Sequence, residues 1–90
     1  MVLVSMVMML WYKIRGIHYV DLKWKASTDG GKYAIFRSIS GGPFQQIALI
    51  SNTSYLDFNL LTKTTYSYSI ETSLNGMLSK PSNTVKVTTR

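Results

Sequence analysis

The chain of 90 residues has no cysteine, one histidine, two prolines and only four acidic side chains. Without cysteine there is no disulfide, no thiolate nucleophile and no thiolate for zinc. The single histidine, His18, lies between Ile17 and Tyr19 with no acidic neighbour in sequence to orient it. A nucleophile–base pair needs a positioned base held by a third group, so His18 reads as a surface or rim side chain. The acids Asp21, Asp29, Asp57 and Glu71 fall in different elements, which supports neither a carboxylate pair nor a calcium loop. Gly30-Gly31 and Gly41-Gly42 have no helical segment after them, so they read as hairpin glycines and not as a phosphate cradle. No helical period and no internal repeat is visible. The sequence thus calls for no enzyme, no metal and no cofactor.

What is present is apolar and basic. Hydrophobic residues make up 46% of the chain, too many for a disordered segment. Ninety residues suffice for one domain and not two. Lysine and arginine outnumber the acids 10 to 4, giving a net charge of +6 that favours anionic partners. The cations are scattered. Lys13, Arg15, Lys23 and Lys25 form the only dense group, with Trp11 and Tyr19 near them for stacking. Nucleic-acid binders carry a one-sided basic stripe, so this dispersion weighs against nucleic acid.

Alternation of apolar and polar residues over short runs predicts strands with one face toward a core. Residues 17–26 place Val20, Leu22 and Trp24 inward and Asp21, Lys23 and Lys25 outward. Residues 32–38 place Tyr33 and Ile35 inward. A short strand at 44–50 and another at 55–60, carrying Leu60, follow. Residues 64–73 form the longest run, with Tyr66, Tyr68 and Ile70 on one face, and Val85 and Val87 alternate in the last strand. These eleven side chains are the expected core. Turns are expected at Thr28-Asp29-Gly30-Gly31, Ser40-Gly41-Gly42-Pro43 and Asn75-Gly76, the last a strong hairpin signal. Lys80-Pro81-Ser82-Asn83 predicts a kink at an edge. Several short strands at near-regular spacing predict an all-β, immunoglobulin-like, seven-strand antiparallel β-sandwich.

Residues 1–12 are different, with only Ser5 interrupting Met, Val, Leu, Trp and Tyr. The run is too short for a membrane span of about 20 residues. Lys13 and Arg15 follow it where a secretory signal would have charge in front. Residues 1–16 are therefore read as an apolar N-terminal segment and residues 17–90 as the sandwich. The segment supplies Val2, Leu3, Val4, Met6, Val7, Met8, Met9, Leu10 and Trp11 as candidate partner-binding residues. Burying about six such side chains is worth on the order of 10 kcal/mol gross. Three readings stay open: the domain's own first strand with an extra strand, strand addition to a neighbouring subunit, or insertion at a membrane surface.

The strand landmarks resemble the fibronectin type III family, from about Val20 to Thr89. Val20-Asp21-Leu22-Lys23-Trp24 is similar to its second strand with a core tryptophan, and Lys32-Tyr33-Ala34-Ile35-Phe36-Arg37-Ser38 to its third. Gly42-Pro43-Phe44 with Ile47-Ala48, and Thr53-Ser54-Tyr55-Leu56-Asp57, resemble the next two strands and their approach. Leu60 lies six residues before Tyr66, the family spacing for its corner tyrosine. Pro81-Ser82-Asn83 resembles the entry to the last strand. The family's usual proline two residues after the leucine is Thr62 here, its proline-rich first strand is missing, and there is no Arg-Gly-Asp triplet for integrin binding.

The resemblance, to members of microbial and viral type, implies a non-catalytic structural or protein-interaction module of an extracellular, cell-surface or virion assembly. A short chain beginning at Met1 suits a small assembly subunit, self-associating or docked through its N-terminal segment and strand edges. A module excised from a larger secreted enzyme or adhesin, acting as spacer or carbohydrate binder, would look the same. For glycan contact the available rings are Tyr12, Tyr19, Phe36 and Phe44. Asn52-Thr53-Ser54 also matches a glycan acceptor pattern.

Overall fold

A computed structural model describes residues 10–14, 19–26, 31–79 and 81–89, with the side chains of 10–14 outside the description. The described residues form eight strands and no helix: β1 Leu10–Ile14, β2 Val20–Trp24, β3 Lys32–Ile39, β4 Gln45–Ile50, β5 Ser54–Asp57, β6 Thr65–Leu74, β7 Met77–Leu78 and β8 Val85–Thr88. They make two antiparallel sheets. The smaller is ordered β1-β2-β5, and the larger β4-β3-β6-β7 with β8 also paired to β6.

The inner faces follow from the period-2 pattern. Val20, Leu22 and Trp24 of the smaller sheet meet Tyr33, Ile35, Tyr66, Tyr68, Ile70 and Val87 of the larger, with Leu60 closing one end. All ten are buried, and half-buried Val85 packs against them with Ile47, Ile50 and Tyr55. Trp24 and Tyr33 meet edge-on, ring centroids 5.6 Å apart. The indole Nε1–H of Trp24 has no hydrogen-bond partner among the described residues, so this ring is held by shape and not by polar pairing.

The sheets are also joined by a polar contact. Arg37 of β3 and Tyr68 of β6 are register partners in the larger sheet. Asp57 of β5 belongs to the smaller one and is register partner to buried Val20, so its side chain faces inward. The Arg37 Nη1 donates to both Asp57 carboxylate oxygens at 3.0 Å, and the Tyr68 hydroxyl donates to Oδ2 at 2.6 Å. The Arg37 guanidinium also lies 5.8 Å from the centre of the Tyr66 ring. Burial pulls the Arg37 pKa down, but the hydrogen bond to Asp57 and its charge outweigh this and leave it raised. Burial first, then the bond to Asp57, push the Tyr68 phenol far above its ordinary range.

Three local devices fix the chain path. At the hairpin between β6 and β7, Asn75 and Gly76 both have positive φ, 53° and 78°, the pair a two-residue primed turn needs. Gly31 enters β3 at φ 85°, where a Cβ would lie 2.5 Å from the Ser73 carbonyl oxygen, so no other residue fits without displacing backbone. The Tyr66 hydroxyl accepts from the Leu61 N–H at 2.8 Å, tying the approach to β6 back onto the strand as a tyrosine corner.

Two elements differ from the sequence reading. The strand expected over 55–60 ends at Asp57, because Asn59 takes φ 58° and turns the chain while Leu60 still reaches the core. The final strand, expected to kink at Lys80-Pro81-Ser82-Asn83, is two separate pieces, β7 and β8, since Pro81 cannot donate to a ladder. Serine hydroxyls fill the gap: Ser79 Oγ accepts from Thr72 N–H and Ser82 Oγ from Ile70 N–H, each at 2.9 Å. The same two serines donate their own N–H groups to the Thr72 and Ile70 carbonyls.

Removing the corner bond by Tyr66→Phe should cost about 1 kcal/mol in urea unfolding, with the fold kept. The Tyr68 phenol gives a sign-defined pH effect. Its folded pKa lies above the unfolded value, so its contribution is complete below about pH 10 and is lost as pH rises beyond that. Absorbance titration of the folded protein should therefore show one phenol that ionises only on alkaline unfolding, and Tyr68→Phe should remove that component.

Candidate functional site

The outer face of the smaller sheet gathers side chains that the core leaves over. With Val20, Leu22 and Trp24 turned inward, Asp21 and Lys23 of β2 turn out, register partners of Leu56 and Ser54 of β5. In the same sheet Lys13 is register partner to Asp21 and Trp11 to Lys23. Chain reversal after Asp57 brings exposed Phe58 beside half-buried Tyr19, ring centroids 5.9 Å apart and planes tilted by 49°. Tyr19, Asp21, Ser54, Tyr55, Leu56 and Phe58 line a groove of about 540 Å³. Lys23 Nζ lies 3.8 Å from the Asp21 carboxylate at its margin, an exposed contact worth little to stability.

This groove offers two apolar ring faces with polar edges, one carboxylate and hydroxyls. Such a surface can receive a sugar ring or a flat apolar side chain. Among the described residues no three of His, Cys, Asp and Glu come together as metal ligands would.

Most of the expected partner-binding residues, Val2, Leu3, Val4, Met6, Val7, Met8 and Met9, lie outside the described residues, as do Arg15, His18 and Asp29. Leu10 and Trp11 stand in β1 opposite Trp24 and Lys23. Of the rings considered for glycan contact, Tyr19 is in the groove. Phe36 is half-buried in β3 and Phe44 exposed before β4, both belonging to the larger sheet. Two features were missed in sequence. Phe58 escaped because it lies just past the strand, although a buried Asp57 makes the next residue face out. The Asp57 contact escaped because its partners are 20 and 11 residues away. The only available signal was that Arg37 shares the inward parity of Tyr33 and Ile35.

Comparison with known proteins places the fold. No family model matches the chain. It superposes on an Fn3-like protein from Clostridium thermocellum with a TM-score of 0.80 and 29% identity, over 89% of this chain and 86% of that one. An FN3 domain of human collagen XX gives a TM-score of 0.79 at 22% identity, over 93% and 90%. A structure of several titin domains gives 0.83 at 20%, over 97% of this chain and 32% of that one. The protein is thus a β-sandwich with the fibronectin type III fold, as the resemblance in its residues implied. In sequence, an amylopullulanase of Thermoanaerobacterium saccharolyticum is 43% identical over 56 residues, 57% of this chain; the chain spans 4% of that relative's length.

Because Phe58 is 58% exposed, Phe58→Ala should change unfolding free energy by no more than about 0.5 kcal/mol. A much larger loss in urea unfolding would mean that this ring supports the fold and is not a surface held for contact.

Proposed function

We propose that the protein is a non-catalytic fibronectin type III-like module that docks other protein domains within a larger protein or assembly. The carrying observation is proportion: what this chain matches is 4% of an amylopullulanase and 32% of a multidomain titin structure. Docking uses the N-terminal residues 1–16, of which Leu10–Ile14 also pair into the smaller sheet as β1, and the open strand edges. The β4 edge supports this, since Ile39, Phe44 and Leu49 beside it leave apolar surface in water. Light scattering on eluted protein tests it. The full chain should associate, and a variant lacking residues 1–9 should run as a monomer; equal masses would contradict docking through that segment.

A second reading is favoured by the tilted Tyr19–Phe58 pair together with the amylopullulanase match: a spacer that also touches glucan in a secreted enzyme. Affinity electrophoresis in gels holding amylose or pullulan should retard the protein, and Tyr19→Ala or Phe58→Ala should abolish the retardation. Unchanged mobility of the unaltered protein would overturn this second reading.

A further inference from the structure

A second groove, of about 530 Å³, lies on the larger sheet. It forms where the β3–β4 turn, the 61–64 connection and β8 converge. Ser67 and Lys86 are register partners, and Ser67 also pairs with Ser38. Their neighbours Tyr66, Tyr68 and Val87 point into the core, so these positions face out, away from the Tyr19–Phe58 groove across the sandwich.

The lining is chemically one-sided. Lys63 and Lys86 supply cations, Ser40, Thr65 and Ser67 supply hydroxyls, and Phe44 supplies a ring that is 47% exposed. No acidic side chain lines it. The ion pairs among the described residues are Lys23 with Asp21 and Arg37 with Asp57, so neither Lys63 nor Lys86 is neutralised there. The walls are fixed before any ligand arrives. The buried Ser38 hydroxyl donates to the Gly42 carbonyl at 2.7 Å, and Ser40 N–H donates to the Thr65 carbonyl at 2.8 Å. The Thr65 and Thr88 hydroxyls bond each other at 2.8 Å. Positive φ at Ser40 and Lys63, 50° and 51°, sets the two turns that close the groove.

From this lining we propose that the groove binds an acidic oligosaccharide, with Lys63 and Lys86 on its anionic group, the hydroxyls on sugar hydroxyls and Phe44 under a pyranose face. The ring and the hydroxyl row favour a sugar over a bare anion, since a simple ion would use only the lysines. One aromatic ring suits one sugar face, whereas single-stranded nucleic acid uses successive rings for successive bases. The excess of cations over acids in the whole chain, 10 to 4, supports capture of a negatively charged polymer. This site does not depend on the docking role or on the glucan reading, and its lysine variants leave the β4 edge and the Tyr19–Phe58 groove untouched.

Calorimetry on the full chain tests it, using a short oligogalacturonate, a sulfated dextran oligomer, a neutral maltooligosaccharide and oligo-dT. Carboxylated or sulfated sugar should bind, the two arms telling which anion is preferred, and the neutral sugar should not bind to this site. Lys63→Gln with Lys86→Gln should weaken acidic-sugar binding at least about tenfold. Lys25→Gln with Lys32→Gln, which removes the same charge from exposed positions elsewhere, should leave it unchanged. Phe44→Ala should weaken acidic sugar about tenfold while leaving the circular dichroism spectrum as it is. Equal losses from both lysine pairs would show a net-charge effect and overturn the site. So would tighter binding of oligo-dT than of either sugar, an absence of sugar binding, or no effect of Phe44→Ala.

Discussion

The structure depends on one carboxylate. Asp57 is buried at 4% exposure at the end of a four-residue strand, and it faces the opposite sheet. A lone charge there would be strongly unfavourable. It is tolerated because two side chains on adjacent strands of the larger sheet converge on it, a guanidinium on both oxygens and a phenol on one. Arg37 keeps partial access to water and carries its charge at the rim, while Tyr68 is fully buried and acts only as a donor. Apolar burial drives the two sheets together but is non-directional. The Asp57 contact adds direction, because only one offset of β5 against β3 and β6 brings the three groups within bonding distance.

That offset sets the two outer faces. Once Val20 and Asp57 point inward as register partners, Asp21 and Leu56 must point out, and Phe58 falls beside Tyr19. On the larger sheet, inward Tyr66, Tyr68 and Val87 leave Ser67 and Lys86 outward. The acidic and aromatic groove and the lysine-rich groove thus lie on opposite sides of one core. The two grooves have no lining residue in common, so the chemistry of one can change without substituting a residue of the other.

Much of the fold is legible because its period is simple. Val20, Leu22 and Trp24 alternate with Asp21 and Lys23, and Tyr66, Tyr68 and Ile70 alternate with smaller polar residues, so strand and inner face are read together. Asn75-Gly76 announces its turn because both positions need positive φ. The spacing of Leu60 and Tyr66 points to a corner hydroxyl that the structure shows bonded at Leu61. What was not legible is long-range. Nothing local joins Asp57 to Arg37 and Tyr68, since the bond exists only after two sheets stack. The interruption at Pro81 was legible from the proline, but the Ser79 and Ser82 hydroxyls that replace ladder partners around it were not. The grooves are likewise products of register: Tyr19 and Phe58 are 39 residues apart in sequence and meet only through β2 and β5.

The central claim is that Asp57 and Arg37 act on each other across the sheets and are not merely neighbours. A double-mutant cycle of Arg37→Ala and Asp57→Ala, read by urea unfolding, measures that interaction directly. The account predicts a coupling above about 1 kcal/mol, with each single change nearly as harmful as the pair. A coupling within about 0.3 kcal/mol of zero, with the two losses simply adding, would contradict it.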